Sequence, residues 1–140
     1  MRAIYTRPRH REGAGVAAVY EPDAAELSNV RADVGRAIVA LGVTPESELA
    51  ATTLLMVDEL ASNAIIHACT PFSVSVMSTR RGVCVEVRDG SPAMAVEVDR
   101  VDSNSGRRPG LGLALVRQFS AAWGVDRDGD GKTVWSVIRR

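Results

Sequence analysis

The chain has 140 residues, and its 17 Lys and Arg residues balance 17 Asp and Glu residues. This length suits one domain with a sizeable hydrophobic core. Because the charges balance, the protein as a whole has no positive field that would attract nucleic acid or an anionic membrane. We therefore expect function to come from a local site. The basic start lacks the apolar core of a signal peptide, and no later apolar run approaches membrane-spanning length. We therefore expect a cytoplasmic protein, with a flexible basic tail over residues 1–13 and a single domain over residues 14–140.

Two apparent metal or redox signals carry little weight. Cys69 and Cys84 lie outside any metal-ligand spacing and among apolar neighbours, which favours buried free thiols over a disulfide or a zinc site. Residues 126–131 copy the opening of a calcium-binding EF-hand loop, but the twelfth position is Val137 instead of a bidentate glutamate. We therefore expect a solvated hairpin turn there.

The first elements of the chain are a strand and an amphipathic helix. Residues 15–20 favour a short strand, and Asp23 is suited to cap a helix that runs to about Leu41. Gly42 follows as a C-terminal stop. Apolar residues of this helix recur at three- and four-residue steps, as one buried face requires: Leu27, Val30, Val34, Ile38 and Leu41.

A second helix is predicted from Thr44 to about Cys69. Thr44 is suited to the N-cap and Pro45 to the first turn. Pro71 ends the helix because proline cannot continue it.

Two β-hairpins follow from alternating apolar and polar residues. The first joins residues 72–79 to residues 83–87, and the second joins residues 123–127 to residues 133–138. Between the hairpins, residues 90–110 are rich in Gly, Ser, Pro, Asp and Arg and have little periodicity. Compact domains seldom keep such a long connection unless it is functional, so we interpret it as a lid.

A third helix over residues 111–121 completes the predicted elements. Three helices and about five strands, mostly joined as hairpins, predict an α+β fold. We expect a two-layer α/β sandwich in which the helices pack on one face of a mostly antiparallel sheet. An exposed apolar face on the first helix or at a sheet edge would favour a homodimer.

Three polar residues lie four positions apart on the second helix: Glu59, Asn63 and His67. Four residues advance about 400° around an α-helix, so these side chains form a file along one side. A polar file in an otherwise apolar helix is expected to face a cavity or a ligand, here beneath the lid. A satisfied polar network in the core explains the same spacing equally well.

Two glycine motifs are weak when taken alone. Asp89-Gly90 directly follows a predicted strand, where a carboxylate can accept from an exocyclic amine, but such a pair is more often only a turn. Gly110-Leu111-Gly112-Leu113 opens the third helix, where backbone N–H groups and the helix dipole favour phosphate. Many helices nonetheless begin with glycine and bind nothing.

Taken in order, these motifs resemble the nucleotide-binding boxes of the GHKL ATPases. They are a Glu-x-x-x-Asn-Ala helix, an Asp-Gly pair after a hairpin, and a Gly-Leu-Gly-Leu run after a lid. The superfamily includes gyrase-type topoisomerases, heat-shock chaperones, mismatch-repair ATPases and the catalytic domains of histidine kinases. From about Gly15 to Ile138, the chain is most similar to the small stand-alone anti-sigma-factor serine/threonine kinases and related bacterial ATP-binding regulators. The resemblance implies a Bergerat-type ATP-binding fold.

The resemblance also implies a role for each matching residue. Asn63 would coordinate a Mg²⁺ ion that bridges the phosphates of ATP, and Glu59 would act as general base on the attacking hydroxyl or water. Asp89, followed by Gly90 and with Thr133 beside it, would bind the adenine amino group. The remaining implied contacts come from the lid and the start of the third helix: Arg107, Arg108, Gly110, Leu111, Gly112 and Leu113. For the two arginines, solvated loop positions are at least as good an explanation.

Two features depart from the family pattern. The usual Asp-x-Gly-x-Gly box is Asp89-Gly90-Ser91-Pro92 here, and losing the later glycines is expected to lower nucleotide affinity. His67 lies inside the nucleotide-binding helix, and the sequence offers no separate dimerising helix that bears a histidine. We therefore expect a structural role for His67 and not that of a phosphoacceptor.

In function, the resemblance implies an ATP- and Mg²⁺-dependent anti-sigma factor with serine/threonine kinase activity. Its partners would be a sigma factor and an antagonist protein (an anti-anti-sigma protein) that it phosphorylates. The altered glycine box favours an alternative, a catalytically weak module in which nucleotide orders the lid to present a partner-binding surface. A third reading is a histidine-kinase-like catalytic domain that acts in trans.

Overall fold

The computed structural model describes Arg7, residues 12–91 and residues 111–140. For residues 12–14, 16, 17 and 111–113 it describes only the secondary structure. Most of the predicted tail and most of the predicted lid therefore lie outside the described residues. The first strand begins at Glu12, two residues before the predicted start of the domain.

The described strands form one five-stranded sheet. They are β1 (Glu12–Tyr20), β2 (Phe72–Ser78), β3 (Gly82–Asp89), β4 (Ala122–Asp128) and β5 (Gly131–Arg139). Their order is β1-β2-β3-β5-β4, and every neighbouring pair is antiparallel. The two predicted hairpins, β2–β3 and β4–β5, are thereby confirmed. The EF-hand-like run over residues 126–131 comprises the end of β4, the two-residue turn at 129–130 and the first residue of β5.

Three α-helices in the described residues cover one face of this sheet. They are α1 (Leu27–Ala40), α2 (Glu48–Asn63) and α3 (Leu111–Phe119). Helix α1 packs against β1 and β2, α2 packs against β2, β3 and β5, and α3 packs against α2 and β4. The predicted α+β two-layer sandwich is confirmed.

The main hydrophobic core lies between these helices and the sheet. Side chains alternate across each strand, so every second residue faces the helices. The helix-facing strand residues include Val74, Val76, Val85, Val87 and Val134. They meet the apolar faces of α1 and α2, which contribute Val30, Val34, Ile38, Met56, Val57 and Leu60.

A second apolar cluster lies on the opposite side of the sheet, which we call the outer face. Its members are 0–3% exposed: Met77, Cys84, Ala122, Trp135 and Val137. The Trp135 indole lies against Gly124, where an added Cβ would sit 2.7 Å from the ring. Gly124 therefore leaves room for the indole against the neighbouring strand.

The starts of both long helices differ from the predictions. Ser47, not Thr44, caps α2, because the Ser47 hydroxyl accepts from the Ala50 backbone N–H at 3.1 Å. Thr44 instead forms the preceding turn, where its carbonyl accepts from the Ser47 N–H. Asp23 is a cap as predicted, but it caps a short 3₁₀ turn over Ala24–Glu26 that leads into α1.

The end of α2 also differs from the prediction of an unbroken helix to Cys69. The α-helix ends at Asn63, and Ala64–Ala68 form a π-turn. Cys69 closes this turn in the left-handed conformation, with φ +54°, and it is exposed. The expectation of a buried thiol is therefore wrong for Cys69 and confirmed for Cys84; both cysteines are free.

The segment Glu48–Ala68 is long and apolar enough, by length and composition, to cross a membrane. This corrects the expectation that no apolar run approaches that length. The core helix of a globular domain passes the same test, and α2 buries Met56, Val57 and Leu60 against α1 and the sheet. We therefore interpret the segment as a core helix.

Candidate functional site

Glu59 and Asn63 lie one turn apart on α2, and both are partly buried. Met56 and Leu60, on the same helix, are anchored in the core and hold α2 against the sheet. Neither Glu59 nor Asn63 makes a side-chain hydrogen bond or ion pair to another described residue. The described residues thus contain no satisfied polar network at this point, and both groups are available to a ligand.

The adjacent carboxylates Asp58 and Glu59 have different environments. Asp58 accepts a hydrogen bond from Arg31 Nε at 2.7 Å and so links α2 to α1. Burial raises the pKa of Glu59 above its usual value, and the negative charge of Asp58 raises the pKa further. A raised pKa makes the Glu59 carboxylate a stronger base, as proton abstraction requires. His67, the third member of the predicted file, lies in the π-turn and is exposed.

Asp89, at the end of β3, is held in a buried ion pair. Lys132 Nζ lies 3.1 Å from each carboxylate oxygen, and the side chains of Asp89 and Lys132 are only 2% and 7% exposed. The Ser91 backbone N–H also donates to Oδ1, at 2.8 Å. Because an unpaired buried charge is costly, each side chain supplies the counter-charge that the other needs.

The neighbour of Asp89 is Lys132 and not Thr133. In the antiparallel register Lys132 lies opposite Asp89, whereas Thr133 lies opposite Arg88. Since side chains alternate, Thr133 points to the outer face, where Arg88 Nη1 donates to its hydroxyl at 3.4 Å. The prediction that Thr133 lies beside Asp89 is therefore corrected. The sequence held a signal for this: side chains two positions apart on a strand share a face, and Val134 is a core residue, so Lys132 belongs to the face that meets the helices.

The sequence analysis also missed the contribution of Gly131. This residue has φ +154°, and a Cβ added there would lie 2.0 Å from the carbonyl oxygen of Asp89. The close approach of the two backbones brings Lys132 within reach of the Asp89 carboxylate. On the other side, the Gly90 N–H donates to Thr70 Oγ1 at 2.9 Å and ties the end of β3 to the segment that follows α2.

Several predicted ligand contacts remain predictions. Arg107, Arg108 and Gly110 lie outside the described residues. Helix α3 begins at Leu111, as expected, and ends at Phe119, two residues before the predicted end. Leu111, Gly112 and Leu113 form its first turn, and their side chains are not described.

The order of these elements and polar residues agrees with a known domain family. A family model described as "Histidine kinase-like ATPase domain" matches residues 20–138, which is most of the chain. The chain belongs to this family. When the sequence of this chain is compared with curated proteins, none matches it at a significant level.

Histidine kinase-like ATPase domains bind ATP, usually with Mg²⁺. Asn63 fits such a metal site, because its carboxamide oxygen is a hard ligand and is not bonded to another described residue. Asp89 fits a purine less simply. Lys132 and Ser91 together occupy three of the roughly four lone-pair positions of its carboxylate, which leaves one on Oδ2.

Proposed function

We propose that this histidine kinase-like ATPase domain is a cytoplasmic anti-sigma factor that uses Mg²⁺-ATP to phosphorylate a serine or threonine of an antagonist protein. The observation that carries the kinase assignment is the pair on α2. A carboxamide suited to Mg²⁺ lies one turn from Glu59, whose pKa is raised by burial. The sigma factor and its antagonist are inferred from the sequence resemblance.

In this proposal each residue has one task. Asn63 holds the Mg²⁺ ion, which neutralises phosphate charge when it is bound. Glu59 accepts the proton of the substrate hydroxyl as the hydroxyl oxygen bonds to the γ-phosphorus and ADP leaves. Asp89 accepts one hydrogen bond from the adenine amino group through Oδ2. Packing of α2 in the core fixes the distance between base and metal ligand.

Phosphoryl transfer from γ-labelled ATP to candidate antagonist proteins tests the proposal. Glu59→Gln keeps the size of the side chain and should lower the transfer rate by about 10²–10⁴-fold, with ATP affinity retained. Asp58→Asn is the matched control, since Asp58 is the adjacent carboxylate and is paired with Arg31. If Glu59→Gln transfers phosphate at the wild-type rate, or if Asp58→Asn loses as much of the transfer rate as Glu59→Gln does, Glu59 is not the general base.

The buried Asp89–Lys132 pair supports a second candidate, a nucleotide-gated binding module with little catalysis. The Asp89 carboxylate is largely occupied by Lys132 and has few acceptor positions left for the adenine base of a nucleotide. We therefore expect weak nucleotide binding. In this case the wild type and Glu59→Gln would bind the sigma factor with the same ATP dependence, and neither would transfer phosphate. Comparison of the wild type with Glu59→Gln therefore distinguishes the two candidate functions.

A homodimer is part of the same proposal. Val19, on the edge strand β1, is 75% exposed, and Val39, on α1, is 52% exposed. Apolar side chains on an open strand edge and a helix surface are suited to pairing with a second copy. Sedimentation equilibrium of the wild type and of Val19→Asp would measure whether β1 contributes to the interface.

A further inference from the structure

Arginines are concentrated at one end of the sheet, which we call the arginine end: Arg80, Arg81, Arg139 and Arg140. Arg80 and Arg81 form the turn between β2 and β3, and Arg139 is the last residue of β5. In the antiparallel register Gly82, which follows the turn, lies opposite Arg139. Neighbouring strands are about 4.8 Å apart, so the turn and the end of β5 are adjacent. All four arginines are exposed.

The arginine end lies far from the candidate ATP site. Asp89 and Lys132 are paired at one end of β3 and β5, whereas Gly82 and Arg139 are paired at the other. With a rise of about 3.3 Å per residue, these two ends are roughly 23 Å apart. The arginines therefore have no part in the proposed contacts to nucleotide.

Carboxylates do not balance the charge of the arginine end. Arg88, elsewhere on the sheet, is paired with Asp128 at 2.8 Å. By contrast, Arg81, Arg139 and Arg140 form no ion pair with a described residue. Like charges held close together repel, so this arrangement costs the isolated fold free energy that an anionic partner would return.

Two contacts define the rest of this surface. Arg140 Nη2 donates to the Ser78 hydroxyl at 2.8 Å, so its guanidinium is held across the end of β3. Glu12, at the start of β1, lies opposite Ser78 in register and places one acidic residue at this end. The four arginines outnumber it, and the surface is basic.

The turn that carries Arg80 and Arg81 is held in a defined conformation. The Thr79 backbone N–H donates to the Gly82 carbonyl oxygen at 2.7 Å, and the Thr79 hydroxyl donates to the same oxygen at 3.0 Å. Thr79 is only 5% exposed, so this clamp is shielded from water. Two-residue hairpin turns favour Gly, Asn and Asp, and turn formation therefore does not explain two successive arginines.

We propose that the arginine end docks an acidic segment of a partner protein. Guanidinium groups pair with carboxylates through two parallel hydrogen bonds, which makes arginine the suited residue for this task. Acidic residues one turn apart on a helix have Cβ atoms about 5–6 Å apart, close to the spacing between neighbouring strands. Two such carboxylates can therefore contact Arg81 and Arg139 together. This inference does not depend on the proposed kinase activity.

Two other anionic occupants fit this surface less well. Proteins that bind DNA tightly contact about 6–10 phosphates, more than the four arginines offer, and the balanced charge of the whole chain adds no attraction. A membrane surface would be held more firmly if apolar side chains entered it. The apolar residues nearest the arginine end in the described strands are instead buried: Met77, Val83 and Ile138.

Fluorescence polarisation with a labelled peptide of repeated Glu-Ala-Ala-Ala units tests the proposal on the full chain. The wild type should bind this peptide more weakly as salt is added, and it should not bind the same peptide with Gln in place of Glu. Arg81→Gln combined with Arg139→Gln should lower the affinity by about tenfold. Arg36→Gln combined with Arg127→Gln is the matched control, because it removes two exposed arginines from other surfaces and changes the net charge equally. It should retain the wild-type affinity.

Three results would overturn the proposal. They are absence of binding by the wild type, an equal loss of affinity in both double variants, and tighter binding of duplex DNA or phosphatidylserine vesicles that is lost in the Arg81/Arg139 variant. The last result would assign the surface to that other polyanion. Circular dichroism melting checks that each variant folds. If the Arg81/Arg139 variant does not fold, Arg81→Gln alone, in the exposed turn, is compared with Arg127→Gln and should show the larger loss.

Discussion

The buried pair of Asp89 and Lys132 leads to a quantitative prediction about stability. Lys132→Met keeps an unbranched side chain of similar length but removes the ammonium. Asp89, 2% exposed, then retains the Ser91 N–H as its described hydrogen-bond donor. Removal of one partner from a buried ion pair costs about 3–5 kcal/mol, because the other charge is left without compensation. For a chain of this length we expect the melting temperature to fall by roughly 10–20 °C.

Two further variants show whether burial and charge cause this loss. Arg88→Gln breaks the ion pair between Arg88 and Asp128, whose side chains are 39% and 53% exposed, and should destabilise the fold much less than Lys132→Met does, because water screens exposed charges. Adding Asp89→Asn to Lys132→Met should recover part of the loss, because it removes the stranded charge.

Urea unfolding followed by circular dichroism measures all these variants under one set of conditions. If Lys132→Met costs no more than Arg88→Gln, the reasoning from burial is wrong. If Asp89→Asn restores nothing in the Lys132→Met background, the loss comes from packing and not from charge.

The remaining predictions concern three single residues. Because burial raises the pKa of Glu59, phosphoryl transfer should decline at a higher pH than for an exposed glutamate as the pH is lowered. The same group stabilises the folded state below its unfolded pKa, and this contribution is lost as the pH rises through the raised folded pKa; stability profiles of wild type and Glu59→Gln that coincide at all pH values would contradict this. Asn63→Ala should abolish the Mg²⁺-dependent part of ATP binding in a calorimetric titration, and persistent metal dependence would exclude Asn63 as a ligand. Gly131→Ala should destabilise the fold by more than about 2 kcal/mol, because its Cβ would meet the Asp89 carbonyl oxygen at 2.0 Å. Gly129→Ala, in the same turn with nothing within 4 Å, is its control, and equal unfolding midpoints would refute the steric argument.

The elements that could be predicted from sequence are those with local causes. Both hairpins follow from the alternation of apolar and polar residues and from the turn residues between the strands. Gly42, with φ +82°, lies just after the end of α1, as predicted. Helix ends were predicted less well, since Thr44 and Ser47 both have side chains suited to capping and only the folded chain selects between them. The π-turn after Asn63 has no sequence signal that the analysis could use.

The sequence by itself determined the α+β fold class, the family resemblance and the spacing of Glu59 and Asn63, because helical and strand periodicities are fixed by backbone geometry. Only the tertiary structure decided that Lys132 is the partner of Asp89, a residue 43 positions away. It alone placed Arg7 on the outer face. Both contacts depend on strand register and on which side chains share a face, and these are set by the packing of distant segments.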